Sequence, residues 1–296
     1  MFEHGSLLLT GLLVGTLARA FMLKIDYRQF PSYPHSYAIH LTLGMIAALL
    51  GALAVPVLLE KEYIAITFLT IAAQQFRDVR SIERESLAEI EKTELIARGE
   101  AYIEGIAKLF EARNYLALLS SLITGLIYYY SSWYIAVLAG GITAFLLHYF
   151  MKGPVVGDIA KIEVVDITVK GNNIGIDDLI MMNIGEEEAL RKWRTEGVGI
   201  RIIPVDENAR ATLANLGQRQ AILHDLGILM GAKLDEGLQQ YTPMARLDID
   251  SSILNIIFIP LEPDRIFIKK AVERIPVLES SQHKPLKDKI GRKAAD

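Results

Sequence analysis

The sequence predicts an α-helical membrane domain of five spans followed by a cytoplasmic α+β domain. Three observations carry that reading. Hydrophobic residues make up 51% of the 296 positions, and the excess lies before residue 152. Apolar runs in that half approach or exceed the roughly 20 residues needed to cross a bilayer. After it, Val- and Ile-rich stretches, turn signals and short amphipathic runs follow one another. The expected division is therefore 1–152 as transmembrane domain, with a charged cytoplasmic helical insertion at 77–113. Residues 155–280 form the α+β domain, and 281–296 a disordered tail.

Composition narrows the function. A net charge of −4 argues against a nucleic-acid-binding surface. With no cysteine, disulfides, thiolate metal sites and a cysteine nucleophile are excluded.

Taken in order, Met1-Phe2-Glu3-His4 lacks a basic n-region, while Arg19 and Lys24 follow the apolar run. That is the layout of a retained helix with its N-terminus outside. Leu7 to Phe21 is the first span, and its Gly11 and Gly15 form a small-xxx-small pattern for close helix packing. Tyr37 to Leu59 is the second and longest; His40 near its start reads as an interfacial histidine rather than a proton or metal site. Tyr63 to Ala73 is short for a span, but crossing puts Arg28 and the charged insertion on one side, as the positive-inside rule requires. The insertion from Arg77 to Arg113 carries nine acids against seven bases and reads as two consecutive helices. Tyr115 to Tyr130 and Ser132 to Met151 are the fourth and fifth spans, with an aromatic belt from Tyr128 to Tyr134 between them.

In the second half, Lys161 to Lys170 and Ile174 to Ile184 are expected to form a β-hairpin turning at Gly171-Asn172-Asn173. Glu186 to Thr195 reads as a helix with acids in its first turn, and Val198 to Val205 as a strand. Asp206 caps a helical region that reaches Met230 with a break near Gly217. Leu247 to Leu261 is strand-like, and Pro263 introduces a helix from Asp264 to Arg274. The order β-β-α-β-α-β-α favours a compact α+β domain. From Glu279 the chain has five Lys or Arg, three acids and little hydrophobicity, the composition of a disordered tail.

No Walker motif, GxGxxG fingerprint, HExxH or GxSxG elbow is present, and no metal or cofactor is expected. His224-Asp225 reads as part of a solvated helix surface. The candidate catalytic residues are Asp166, Asp177 and Asp178. A hairpin turning at Gly171 would bring Asp166 near Asp177 or Asp178, and paired carboxylates can hold a hard cation or share a proton. The plainer reading makes them exposed alternates.

The hexapeptide Tyr102-Ile103-Glu104-Gly105-Ile106-Ala107 resembles the signature that names the YIEGIA family, membrane proteins of endospore-forming Firmicutes. The resemblance implies a multi-pass protein of the cell membrane, a sporulation-associated role and a small soluble capping protein on the cytoplasmic side. Tyr102, Glu104 and Gly105 are then expected as a partner-binding surface, with Gly105 admitting another backbone; the plainer reading is an exposed Glu104–Lys108 pair. The expected function is an integral membrane regulator or scaffold recruiting partners through its cytoplasmic domain. The alternative is a membrane-embedded hydrolase, a protease using acidic residues; whether the chain is an enzyme stays open. A homo-oligomer is compatible with either. A solute transporter is disfavoured because the spans show no charged residue near mid-membrane.

Overall fold

The computed structural model describes residues 4–29, 37–92, 94, 96–150, 153–231 and 241–282. The chain divides into two units. One comprises residues 1–87 and 106–152, the other 88–105 and 153–296.

The first unit is helical. It contains α1 (Gly5–Gln29), α2 (Tyr37–Leu59), most of α3 (Tyr63–Glu91), α4 (Glu100–Tyr130) from Ile106 onward, and α5 (Trp133–Phe150). Small residues set its packing. A Cβ on Gly15 would lie 2.6 Å from the Ala48 Cβ, and one on Gly51 would lie 2.2 Å from the Leu118 carbonyl oxygen. The Ser121 hydroxyl donates to the Ala48 carbonyl at 2.6 Å. The Gly11/Gly15 pattern thus serves contacts within this chain. Ala18, Met22, Ala47 and Ala117 form the core.

Five spans are not supported. Among the described residues, two helices are long and apolar enough to cross a membrane, Gly5–Lys24 within α1 and Tyr37–Leu59. Tyr63–Ala72 and Trp133–Leu147 are apolar but shorter, and the run from Tyr115 is the C-terminal part of α4, whose first turns are charged. The expectation counted apolar runs; Tyr63–Ala72 and Trp133–Leu147 are shorter than the roughly 20 residues that cross a bilayer without help from neighbouring helices.

The second unit is α+β, with antiparallel sheets. Its elements after residue 153 are α6 (Val156–Ile159), β1 (Ala160–Asp166), β2 (Thr168–Lys170), β3 (Asn173–Ile176), β4 (Leu179–Asn183), α7 (Glu187–Glu196), β5 (Val198–Pro204), α8 (Glu207–Ala214), α9 (Leu216–Met230), β6 (Met244–Leu247), β7 (Leu254–Phe258) and α10 (Arg265–Arg274). The main sheet runs β1-β5-β7-β6, and a smaller one runs β2-β3-β4. Leu254, Ile256 and Phe258 of β7 face a core shared with Ile222 and Leu226 of α9 and Ile268 and Val272 of α10. Ile257 joins a second core with Ile174, Ile176, Leu190, Trp193 and Tyr241. Burial on both faces explains the unbroken apolar run at Ile256-Ile257-Phe258, because no position needs to face water.

The expected hairpin is corrected. β1 pairs with β5, Asp166 opposite Val198, and only the three residues of β2 cross the Gly171 turn to β3. The Gly171 signal is real, with φ of 60°, but the chain leaves the main sheet at Ile167 before reaching it. Two helix starts follow expectation: the Asp206 carboxylate accepts from the Ala209 amide at 2.7 Å, and Asp264 caps α10. The predicted break near Gly217 falls at Asn215, whose side chain caps α9. Ser281, at the start of the predicted tail, is buried and donates to Gln218 Oε1 at 2.9 Å; the rest of the tail, from 283, lies outside the described residues.

Candidate functional site

The signature opens α4, and its first four residues belong to the α+β unit. Tyr102 is 0% exposed, and its hydroxyl lies 3.2 Å from Oδ1 and 3.4 Å from Oδ2 of Asp225 on α9. The phenol O–H donates to the Asp225 side chain in the interior. Ile103 is buried, Glu104 half-buried, and a Cβ on Gly105 would meet the Ser280 hydroxyl at 3.0 Å. Tyr102 is therefore packed inside its own chain rather than presented on a surface. The close approach expected at Gly105 is made to the Ser280 side chain.

The segment ahead of the helix builds the rest of the site. Gly99 adopts φ of 80°, which reverses the chain into α4, and its amide donates to Glu91 Oε1 at 2.9 Å. The Ile96 carbonyl lies 2.7 Å from His224 Nδ1. A carbonyl only accepts, so Nδ1 carries the proton and the neutral ring leaves Nε2 bare. Nε2 lies 3.6 Å from Glu94 Oε2, which Arg98 Nη1 approaches to 2.6 Å. Burial first, and Arg98 second, push the His224 imidazole down from 6.5 to about 4. His224 and Asp225 are not a solvated surface as expected: they are 0% and 1% exposed. Adjacent helix positions do point apart, but α9 is covered on more than one side.

The three candidate aspartates do not converge. Asp166 pairs with Arg265. Asp177, at φ of 53° in the β3–β4 turn, lies 3.3 Å from Arg201, and Asp178 lies 3.1 Å from Lys170. All three are exposed. A shared proton or a hard cation needs carboxylates facing one another; here each faces its own base. Among the described residues, no group of three or more His, Asp or Glu is placed to hold a metal ion.

Sequence reasoning found Tyr102, and the i,i+4 spacing of Glu94 and Arg98 already marks their ion pair, but it missed Ile96, His224 and Asp225 as the surroundings. A further signal was Arg98-Gly99 directly before the signature, a basic residue and a chain reversal at a helix entrance. Chemically, the cluster holds rather than reacts. Its phenol is spent on a carboxylate and its imidazole on a backbone carbonyl, all below the surface.

A family model described as YIEGIA protein matches residues 7–288. The chain is also similar to the uncharacterized protein YphB of Bacillus subtilis (strain 168), with 40% identity over 278 residues that cover 94% of each chain. No solved structure matches.

Proposed function

The chain belongs to the YIEGIA family, and we propose that it is an integral membrane regulator or scaffold that recruits a soluble partner through its α+β unit. The observation that carries this reading is an exposed apolar group on that unit. Leu261, Ile266 and Phe267 are 61%, 67% and 63% exposed. Leu261 lines a cleft of about 330 Å³ together with Asp166, Arg194 and Arg265. Large apolar side chains left in water beside a charged cleft suit an apolar anchor flanked by polar contacts. The aspartates of the hydrolase alternative gain no support from their separate ion pairs.

The proposed topology has five spans, the N-terminus outside and the α+β unit inside, with the shorter helices crossing among their neighbours. A label at Lys61 should then react from outside in intact cells, and one at Arg84 should not; the reverse pattern rejects it. For the scaffold, replacing Ile266 and Phe267 together by Ser should leave membrane levels unchanged and abolish co-purification of the partner. If the pair is neutral while Asp166→Asn or Asp177→Asn makes a substrate accumulate, the hydrolase reading replaces it.

A further inference from the structure

The helical unit contains a buried charged cluster of its own. Arg19 and Asp26 of α1 are 0% and 1% exposed, and Arg113 of α4 is 3% exposed. Arg19 Nη1 donates to Asp26 Oδ2 at 3.0 Å, and Arg113 Nε donates to Asp26 Oδ1 at 3.1 Å. One carboxylate thus serves two guanidiniums, which stay charged at any physiological pH. Counted over these three side chains, two guanidiniums share one carboxylate where burial makes charge expensive.

The side chain of Arg19 is held in place from several sides. A Cβ on Gly44 would fall 2.2 Å from Arg19 Cγ, so glycine at this position of α2 makes room for it. Its guanidinium carbon lies 5.6 Å from the Phe110 ring centroid, and Phe110 stacks on His40 with centroids 4.3 Å apart. Yet Arg19 Nε and Nη2 are buried with no hydrogen-bond partner among the described residues. These two N–H groups form one edge of the guanidinium, the fork that takes two oxygens of a carboxylate or phosphate at once. Glu83, on α3 beyond its apolar stretch, feels the pull of Arg19, but burial raises its carboxyl to about 7. Near neutral pH it carries only part of a charge and does not balance the cluster.

We propose that the Nε/Nη2 edge of Arg19 binds a small oxyanion of the carboxylate or phosphate class, whose charge neutralises the Arg19–Asp26–Arg113 cluster. Asp26 fixes the plane of the fork, and Gly44 and Phe110 set its depth. The fork selects an anion with two oxygens over a halide. The oxyanion is either a free ion or the phosphate of a lipid headgroup, and the chemistry is the same for both. The site stands independently of the scaffold reading.

The test uses the full chain in an uncharged detergent at pH 7 and constant ionic strength, with sodium phosphate replacing sodium chloride. The midpoint of thermal unfolding should rise saturably, by about 5 °C at roughly a hundredfold above half-saturation. Arg19→Lys keeps the charge without the fork and should lose the rise. In a second arm, the uncharged detergent alone is compared with the same detergent carrying phosphatidylcholine or phosphatidylglycerol. A rise with a phospholipid but not with free phosphate, and lost in Arg19→Lys, assigns the site to a headgroup. No rise in either arm, or an equal rise in Arg19→Lys, overturns the proposal. Should Arg19→Lys not fold, Glu83→Gln decides: half-saturation at least roughly threefold lower supports the site, because a competing negative charge is gone. An unchanged or weaker half-saturation overturns it, as does a response seen in Glu83→Gln alone, since Glu83 then fills the fork.

Discussion

At the scale of residues, the signature tyrosine works through what its hydroxyl reaches. Tyr102→Phe removes one buried donor and leaves Asp225 short of it; chemical denaturation should show a loss of about 1–3 kcal/mol. Combined with Asp225→Asn, the two losses should fall short of additivity, because both remove the same bond. His224 gives a pH signature. Its folded value of about 4 lies below its ordinary 6.5, so between these values the unfolded chain binds a proton that the folded chain refuses. Stability therefore rises with pH through that window. The contribution is full above about 6.5, drains away toward about 4 and is of order 3 kcal/mol in total. His224→Asn offers a donor to the Ile96 carbonyl but does not titrate, and its denaturation profile should be flatter over the same window. The surroundings of His224 were not legible in the sequence, because Ile96 lies 128 positions away and nothing local encodes their meeting.

At the scale of elements, local chemistry was legible where the partner is close in sequence. Asp206 and Asp264 cap helices whose amides lie within three positions, and the strand at Val198 and the helix at Glu187 stand almost where periodicity puts them. Strand pairing was not legible. The Gly171 turn invited β1 into a hairpin, whereas its partner is β5, beyond a whole small sheet and a helix. The cluster around Arg19 escaped for a related reason. Arg19 and Asp26 are seven positions apart, two helical turns on one face, but the first span was expected to end at Phe21, and the helix continues to Gln29. The entry to α4 offers the element-scale prediction. Gly99 combines φ of 80° with a Cβ position 2.2 Å from Gln220 Nε2. Gly99→Ala must strain the backbone and displace Gln220, and should cost about 2 kcal/mol or more.

At the scale of the whole molecule, the sequence places the boundary between halves near residue 152, and composition supports that division. The structure adds that the α+β unit is discontinuous: residues 88–105 belong to it. The charged stretch that reads as a cytoplasmic insertion is, in its middle part, a structural part of the C-terminal unit. Ile96 shows how closely it fits, since a Cβ on Gly227 would lie 1.8 Å from the Ile96 Cδ1. A C-terminal fragment alone therefore lacks the groups that cover His224, Asp225 and Gly227. The most direct test is thermal and chemical unfolding of the 153–296 fragment with and without a peptide of residues 88–105. The account predicts that the peptide binds, raises the unfolding midpoint saturably, and does so more weakly when it carries Tyr102→Phe. A fragment that unfolds identically with the peptide, the Tyr102→Phe peptide and no peptide would contradict the assignment of the signature to the interior of this unit.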